Sequence, residues 1–171
     1  ILVRSLLDRT IFVLMRAMVV AAPAGAITWI LANIFIGDLS ILAHLAGWLD
    51  PFGRLLGMDG TILMAFILGL PANEIVLPIM IMSYVSAGAM LELDSLNALR
   101  TLLLDNGWTW LTALSMMLFS LLHYPCGTTL LTIYKETKSM KWTVFSALMP
   151  LGVAVIVTLI VAQLAFLLGL V

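Results

Sequence analysis

Two polar, helix-breaking segments interrupt the long apolar runs of this chain, and they constrain its fold more than any other feature. They occupy residues 69–78 and 123–129, and each combines proline with strongly polar or metal-capable side chains. A proline inside a helix removes an N–H donor and frees a backbone carbonyl. A carboxylate at membrane depth is costly and usually functional. Two such breaks in otherwise apolar sequence predict a path for a polar solute.

The composition predicts an integral membrane protein. Hydrophobic residues make up 63% of the chain and charged residues 10%, against about 45–50% and about 25% in soluble domains. The run 144–171 contains one amide and no charge, and it exceeds the roughly 20 residues that cross a bilayer. The net charge of −1 gives no case for nucleic-acid binding. We therefore expect an all-α membrane protein, a multi-helix bundle with discontinuous or re-entrant helices at Pro71–Pro78 and Pro125–Gly127.

The hydrophobic pattern predicts a single transmembrane domain over residues 1–171. Because the chain begins with Ile1 rather than Met, we expect it to be a fragment of a longer protein or a cleaved product. Turn signals are predicted at 50–53 and 57–60. In order, we expect an amphipathic lead-in helix (1–16), a span (17–36), a short interfacial or re-entrant helix (39–49), a broken run (61–91), an amphipathic surface helix (92–105), a second broken run (108–134), a basic loop (135–141) and a final helix (142–171).

Lysine and arginine concentrate in residues 4–16 and 135–141. The positive-inside rule places both segments in the cytoplasm, so an even number of crossings must separate them. The apolar units between them are 17–36, 61–91 and 108–134. One of the two broken units is therefore predicted to be a re-entrant hairpin.

Four side chains at the breaks are candidate metal ligands: Glu74, Asn73, Cys126 and His123. Carboxylate oxygens suit hard cations, whereas thiolate and imidazole suit softer transition metals. Other interpretations stay open. Glu74 and Asn73 can cap a half-helix, Cys126 can be a buried small hydrophobe, and His123 can be hydrogen-bonded within the bundle.

Thr128 and Thr129 can supply hydroxyl groups or cap the half-helix that follows the second break, and the cap is favoured. The sequence has neither a phosphate-binding loop nor a dinucleotide fingerprint. It also has no zinc-type cysteine–histidine array and no evident nucleophile–base pair. We therefore predict that the chain is not an enzyme.

The breaks resemble those of a known family. The Pro-Ala-Asn-Glu stretch at 71–74, the Tyr-Pro-Cys-Gly-Thr-Thr stretch at 124–129 and the Lys-Glu-Thr-Lys-Ser-Met-Lys-Trp stretch at 135–142 are similar to the C-terminal membrane half of the ferrous iron transport protein B (FeoB) family. Residues 16–29 also fit the helix that precedes this region. The resemblance covers nearly the whole chain.

The resemblance implies the C-terminal gate half of a GTPase-linked Fe(II) permease in the inner membrane of a bacterium or archaeon. Cys126 is then the gate cysteine, and Glu74 and Asn73 match the family's Pro-Ala-(Lys/Asn)-Glu stretch as further transient ligands. His123 is a weaker candidate from its chemistry alone. Fe(II) is the transported substrate, no cofactor is tightly bound, and GTP acts only through a domain absent from this chain. The GTPase domain and the first gate half are implied partners, on the same or another chain. A homo-oligomer stays open.

Two alternatives stay open. A nucleoside-transporter-like gate domain would move an organic solute, with the polar broken ends contacting hydroxyl groups instead of a metal. A non-transporting membrane scaffold would use both breaks as packing kinks. An intramembrane enzyme would need a catalytic constellation that the sequence does not show.

Overall fold

The computed structural model describes residues 2–85 and 95–170, and the described chain is predominantly helical, which confirms the predicted fold class. The elements in chain order are α1 (Leu2–Asn33), β1 (Phe35–Ile36), β2 (Leu39–Ser40), α2 (Ile41–Leu55), α3 (Gly60–Leu68), a 3₁₀ turn (Asn73–Ile75), α4 (Val76–Val85), α5 (Leu96–Asp105), α6 (Trp110–Leu122), α7 (Gly127–Thr137) and α8 (Met140–Leu167).

The predicted division between a lead-in helix at 1–16 and a span at 17–36 is wrong, because α1 is continuous across it. Pro23 lies inside α1 without ending it, as transmembrane helices tolerate. Gly37, with φ 71°, turns the chain between β1 and β2, where the predicted span was expected to end.

The turn predicted at 50–53 is also wrong, because α2 runs through Pro51 to Leu55 and extends well beyond the short helix predicted at 39–49. Within this stretch Asp50 and Arg54 form an ion pair of 2.7 Å one helical turn apart. The turn predicted at 57–60 is confirmed: Gly57 has φ 72°, and the Asp59 side chain caps α3. Helices α2 and α3 meet there at a bend of 110°.

Helices α3 and α4 form a short hairpin in the middle of the bundle. At 9 and 10 residues, each is about 14–15 Å long, half of a hydrocarbon core of about 30 Å. The hairpin nevertheless supplies most of the deeply buried core. Its members with at most 2% exposure are Ile62, Met64, Ala65, Phe66, Ile79, Met80 and Met82.

The open end of the hairpin is tied together by side chains. Asp59 Oδ1 accepts the Ile62 amide at 2.7 Å, and Oδ2 accepts the hydroxyl of Tyr84 at the far end of α4. The Trp108 indole N–H donates to the same Tyr84 hydroxyl at 2.9 Å. The start of α3, the end of α4 and the segment before α6 are therefore held at one point.

The remaining boundaries lie close to those predicted. Ser95 caps α5 and Gly107, with φ 79°, follows its end, although the predicted start of this helix at 92–94 lies outside the described residues. The basic loop predicted at 135–141 is shorter than expected, because α7 continues to Thr137 and α8 begins at Met140. Only Lys138 and Ser139 separate these helices, and Lys138 adopts a left-handed conformation with φ 49°.

Three stretches of the described residues are long and apolar enough to cross a membrane: Leu6–Asn33, Trp110–Thr137 and Met140–Leu167. The bent pair α2–α3 would make a fourth if it were counted as one span. The chain is therefore a helical membrane protein. The middle stretch contains the break between α6 and α7, which falls near its centre.

Candidate functional site

The first break lies at the tip of the α3–α4 hairpin and is shorter than predicted. Helix α3 ends at Leu68, and the 3₁₀ turn leads directly into α4 at Val76. Pro78 is the third residue of α4, where a missing N–H leaves no helical bond unmade. The interruption is therefore Gly69–Ile75, and Pro78 belongs to the helix that follows.

Asn73 and Glu74 are the first two residues of the 3₁₀ turn, and both side chains are exposed. Ala72, rather than Asn73, occupies the N-cap position, and no side chain caps the turn. Among the described residues, neither side chain makes a hydrogen bond or ion pair. The described structure therefore does not use Glu74 or Asn73 as the helix cap that the sequence left open.

The second break separates α6 from α7. His123 is the C-cap of α6, and Cys126 is the N-cap of α7 without a side-chain capping bond. The half-buried Cys126 sulfur lies 3.1 Å from Thr128 Oγ1 and 3.2 Å from Thr129 Oγ1. The interpretation of these threonines as caps is therefore wrong, since both hydroxyls contact the thiol instead.

His123 is buried among aromatic rings, and its ring centroid is 5.0 Å from that of Phe66 and 4.9 Å from that of Tyr124. Its Nδ1 lies 2.9 Å from the Ser120 carbonyl, which assigns the proton to Nδ1. Its Nε2 is buried and has no partner among the described residues. His123 is thus a hydrogen-bonded histidine of the bundle with one unused acceptor.

The two breaks are hydrogen-bonded to each other. The Gly127 amide, at the start of α7, donates to the Leu70 carbonyl at 2.7 Å. The Tyr124 hydroxyl donates to the Phe66 carbonyl at 2.5 Å. A Cβ on Gly127 would come within 3.4 Å of Pro71 Cα, so the two backbones nearly touch. Backbone groups that lack helical partners, near the end of α3 and at the start of α7, are therefore hydrogen-bonded to each other.

This contact explains why the breaks persist inside an apolar bundle. A buried backbone group without a partner costs about 1–3 kcal/mol. Sequence reasoning missed Tyr124, which is 8% exposed and whose side chain bonds the second break to α3. Its signal was an aromatic residue with a hydroxyl, immediately before the proline of a broken helix.

The predicted ligands do not form a preorganised metal centre. Within 2–85 and 95–170, no three histidine, cysteine or acidic side chains come close enough to hold a metal ion together. The interlocked breaks bring the Cys126 segment against the hairpin tip that carries Asn73 and Glu74.

A short buried hairpin whose tip is bonded to a broken span defines the class: a helical membrane protein with a discontinuous span. The family model named Gate, described as nucleoside recognition, matches residues 14–140. The match covers well over half of the chain, so the protein belongs to this family.

Curated relatives narrow the resemblance. The "Fe(2+) transporter FeoB" of Staphylococcus aureus strain MSSA476 is 35% identical over 99 residues, which cover 58% of this chain and 14% of the relative. The protein of the same name from strain COL is 36% identical over 95 residues, covering 56% and 13%. The resemblance to the FeoB gate region is thereby confirmed. The chain spans about one seventh of these relatives. No solved structure gives a significant match.

Proposed function

We propose that this chain is a gate half of a Fe(II) permease, in which cargo passes between the hairpin tip and the α6–α7 break. The observation that carries the proposal is the bond between the two breaks, Gly127 N–H to Leu70 O at 2.7 Å. It joins the segment of Cys126 to the segment of Asn73 and Glu74 near the centre of a candidate span.

The chemistry of the two segments supports a cation as cargo. Glu74 is exposed at the tip of a hairpin whose helices are deeply buried. Because an exposed carboxylate in lipid is costly, we place it in a water-filled path. Cys126 adds a sulfur ligand, which suits a borderline ion such as Fe(II) better than Mg²⁺ or Ca²⁺. Few ligands favour release as well as binding.

We assign Cys126, Glu74 and Asn73 as the transient ligands of the cargo. His123 is left out of this set because its free Nε2 is enclosed by the bundle. No tightly bound cofactor is part of the proposal.

The distribution of spans supports a cytoplasmic location for both basic segments. The candidate span Leu6–Asn33 begins within the basic segment 4–16, and Trp110–Thr137 ends within the basic segment 135–141. With the bent pair α2–α3 not counted as a span, these are the two crossings between the basic segments. Two is the even number that the positive-inside rule requires. The α3–α4 hairpin is then re-entrant, and the protein is a multi-pass protein of a bacterial or archaeal inner membrane.

The proposal includes partners beyond the chain. A GTP-binding domain and a first gate half, on the same polypeptide or another, would complete the pathway and control its opening. Their presence is an expectation from the resemblance to FeoB, of which the chain covers a small share.

Cys126→Ser tests the sulfur ligand. In cells that make the full-length protein and lack other Fe(II) uptake, we expect Fe(II) uptake under reducing conditions to fall about tenfold or more, the scale of losing a metal-site interaction. Thr137→Ser is the matched control, because Thr137 lies on the same helix and its exposed hydroxyl bonds a carbonyl one turn away. Uptake by Cys126→Ser equal to that of the control contradicts the proposal.

Glu74→Gln tests the carboxylate while conserving its shape. We expect a several-fold loss of Fe(II) uptake, and Glu136→Gln is the control because Glu136 is an exposed acid near the end of α7. If both variants transport Fe(II) like the wild type, Glu74 does not contact the cargo.

A second candidate function is the movement of an organic solute, favoured by the description of the matched family as nucleoside recognition. Uptake of radiolabelled uridine or adenosine is therefore measured in the same cells. Nucleoside uptake that depends on Asn73 and Glu74, without Fe(II) uptake, would replace the iron proposal. If neither flux exists, the chain is a scaffold.

A further inference from the structure

Tyr124 and Gly127 flank Pro125 and Cys126, and each flanking residue is bonded to the same hairpin end. Helix α3 stops before the Phe66 carbonyl can accept from the Leu70 amide, which instead donates to Ile67. The Tyr124 hydroxyl donates to the Phe66 carbonyl in place of that amide. The segment Pro125–Cys126, which carries the thiol, is therefore held by a hydrogen bond on each side.

The two hydrogen bonds differ in the kind of group that donates them. The Gly127 bond uses a backbone amide, which nearly any residue at that position would offer. The Tyr124 bond depends on one phenolic oxygen, on a side chain that is 8% exposed. Removal of that oxygen leaves the Phe66 carbonyl without the donor that the described residues give it.

We propose that Tyr124 is a positioning residue that holds Cys126 against the hairpin tip and sets how accessible its sulfur is. The tyrosine touches no cargo; it acts through the segment that follows it. The inference rests on the proposed gate function, since it concerns how that gate is held. Passage of cargo past Cys126 then requires the hydrogen bond from the Tyr124 hydroxyl to the Phe66 carbonyl to break.

The direct measurement is the reactivity of Cys126. Membranes containing the full-length protein are treated with a methanethiosulfonate reagent, and labelling at Cys126 is followed by peptide mass spectrometry. For Tyr124→Phe we expect labelling about five- to tenfold faster than wild type, the change that loss of one hydrogen bond brings to a two-state equilibrium. Tyr134→Phe is the matched control, because Tyr134 is an exposed tyrosine on α7.

A second variant tests the inference without removing the hydroxyl, in case Tyr124→Phe misfolds. Site-specific 3-fluorotyrosine at position 124 keeps the shape of the side chain and makes its hydroxyl a stronger donor. Labelling of Cys126 should then slow relative to wild type, opposite in sign to Tyr124→Phe. A purely structural role would not produce rates that follow donor strength in both directions.

The outcomes separate this inference from the proposed function. Faster labelling in Tyr124→Phe and slower labelling with fluorotyrosine support positioning, even if Cys126→Ser retains Fe(II) uptake and the ligand assignment fails. If Cys126 reacts at the Tyr134→Phe rate in both Tyr124 variants, the inference is overturned. If Tyr124→Phe does not reach the membrane, the fluorotyrosine rate alone decides.

Discussion

Gly53→Ala should destabilise the protein because α2 and the start of α3 approach each other at Gly53. A Cβ at residue 53 would lie 2.6 Å from the Asp59 carbonyl carbon and 2.7 Å from its oxygen. An ordinary contact begins at 3.4 Å, so the two backbones would have to separate. Neither contacting atom belongs to a flexible side chain, and the chain cannot relieve the clash by a rotamer change.

We expect a cost of about 2–3 kcal/mol, the upper part of the range for overpacked cores. Gly47→Ala is the control, because Gly47 is in the same helix and nothing lies within 4 Å of its added Cβ. Both variants gain the higher helix propensity of alanine, about 1 kcal/mol, so the clash is the difference between them.

The assay is the melting midpoint of the two purified variants in one detergent. At about 2–4 °C per kcal/mol for a chain of this size, Gly53→Ala should melt about 4–12 °C below Gly47→Ala. Equal midpoints would refute the reasoning, since the bend between α2 and α3 would then open without cost and could not fix the base of the hairpin.

The same melting assay tests three other sites. Ser115→Ala should raise the free energy of unfolding by about 1 kcal/mol, because the Ser115 hydroxyl is buried without a partner among the described residues; a lower midpoint would mean that the hydroxyl is satisfied after all. Tyr84→Phe should lower it by about 1–3 kcal/mol, because it removes the hydroxyl that links Trp108 to Asp59; an unchanged midpoint would argue against this link. Lys138→Gly should raise it by up to about 1 kcal/mol, because Lys138 has φ 49°; a loss would show that no strain is stored there.

Both breaks could be predicted from the sequence because their causes are local. Proline and glycine beside polar residues in an apolar run leave few other structures. The turn at 57–60 was readable for the same reason. The turn predicted at 50–53 failed because α2 continues through Pro51 and packs closely against α3, where Gly53 approaches the Asp59 backbone. This contact between helices opposes the weak helix propensity of Asp, Pro and Gly, and it has no local signal in the sequence.

The contact between the breaks could not be predicted, because its causes are not local. Tyr124 and Phe66 are 58 residues apart, and a backbone carbonyl carries no sequence signal. Which of the two broken units forms the buried hairpin could not be predicted for a similar reason. The sequence predicted that one broken unit is re-entrant, but only packing reveals that the short helices α3 and α4 are the most buried ones among the described residues.

Unequal burial decides which side of the gate can move. The hairpin is anchored by its core residues and by the Asp59–Tyr84 bond at its base. Helix α7, which follows Cys126, contains no buried residue and packs mainly along α1 and α8. Segments with few buried contacts open at the lowest free energy. If the proposed function holds, the hairpin tip is the fixed side of the gate. Helix α7 is the side that moves, after the hydrogen bond between Tyr124 and the Phe66 carbonyl breaks.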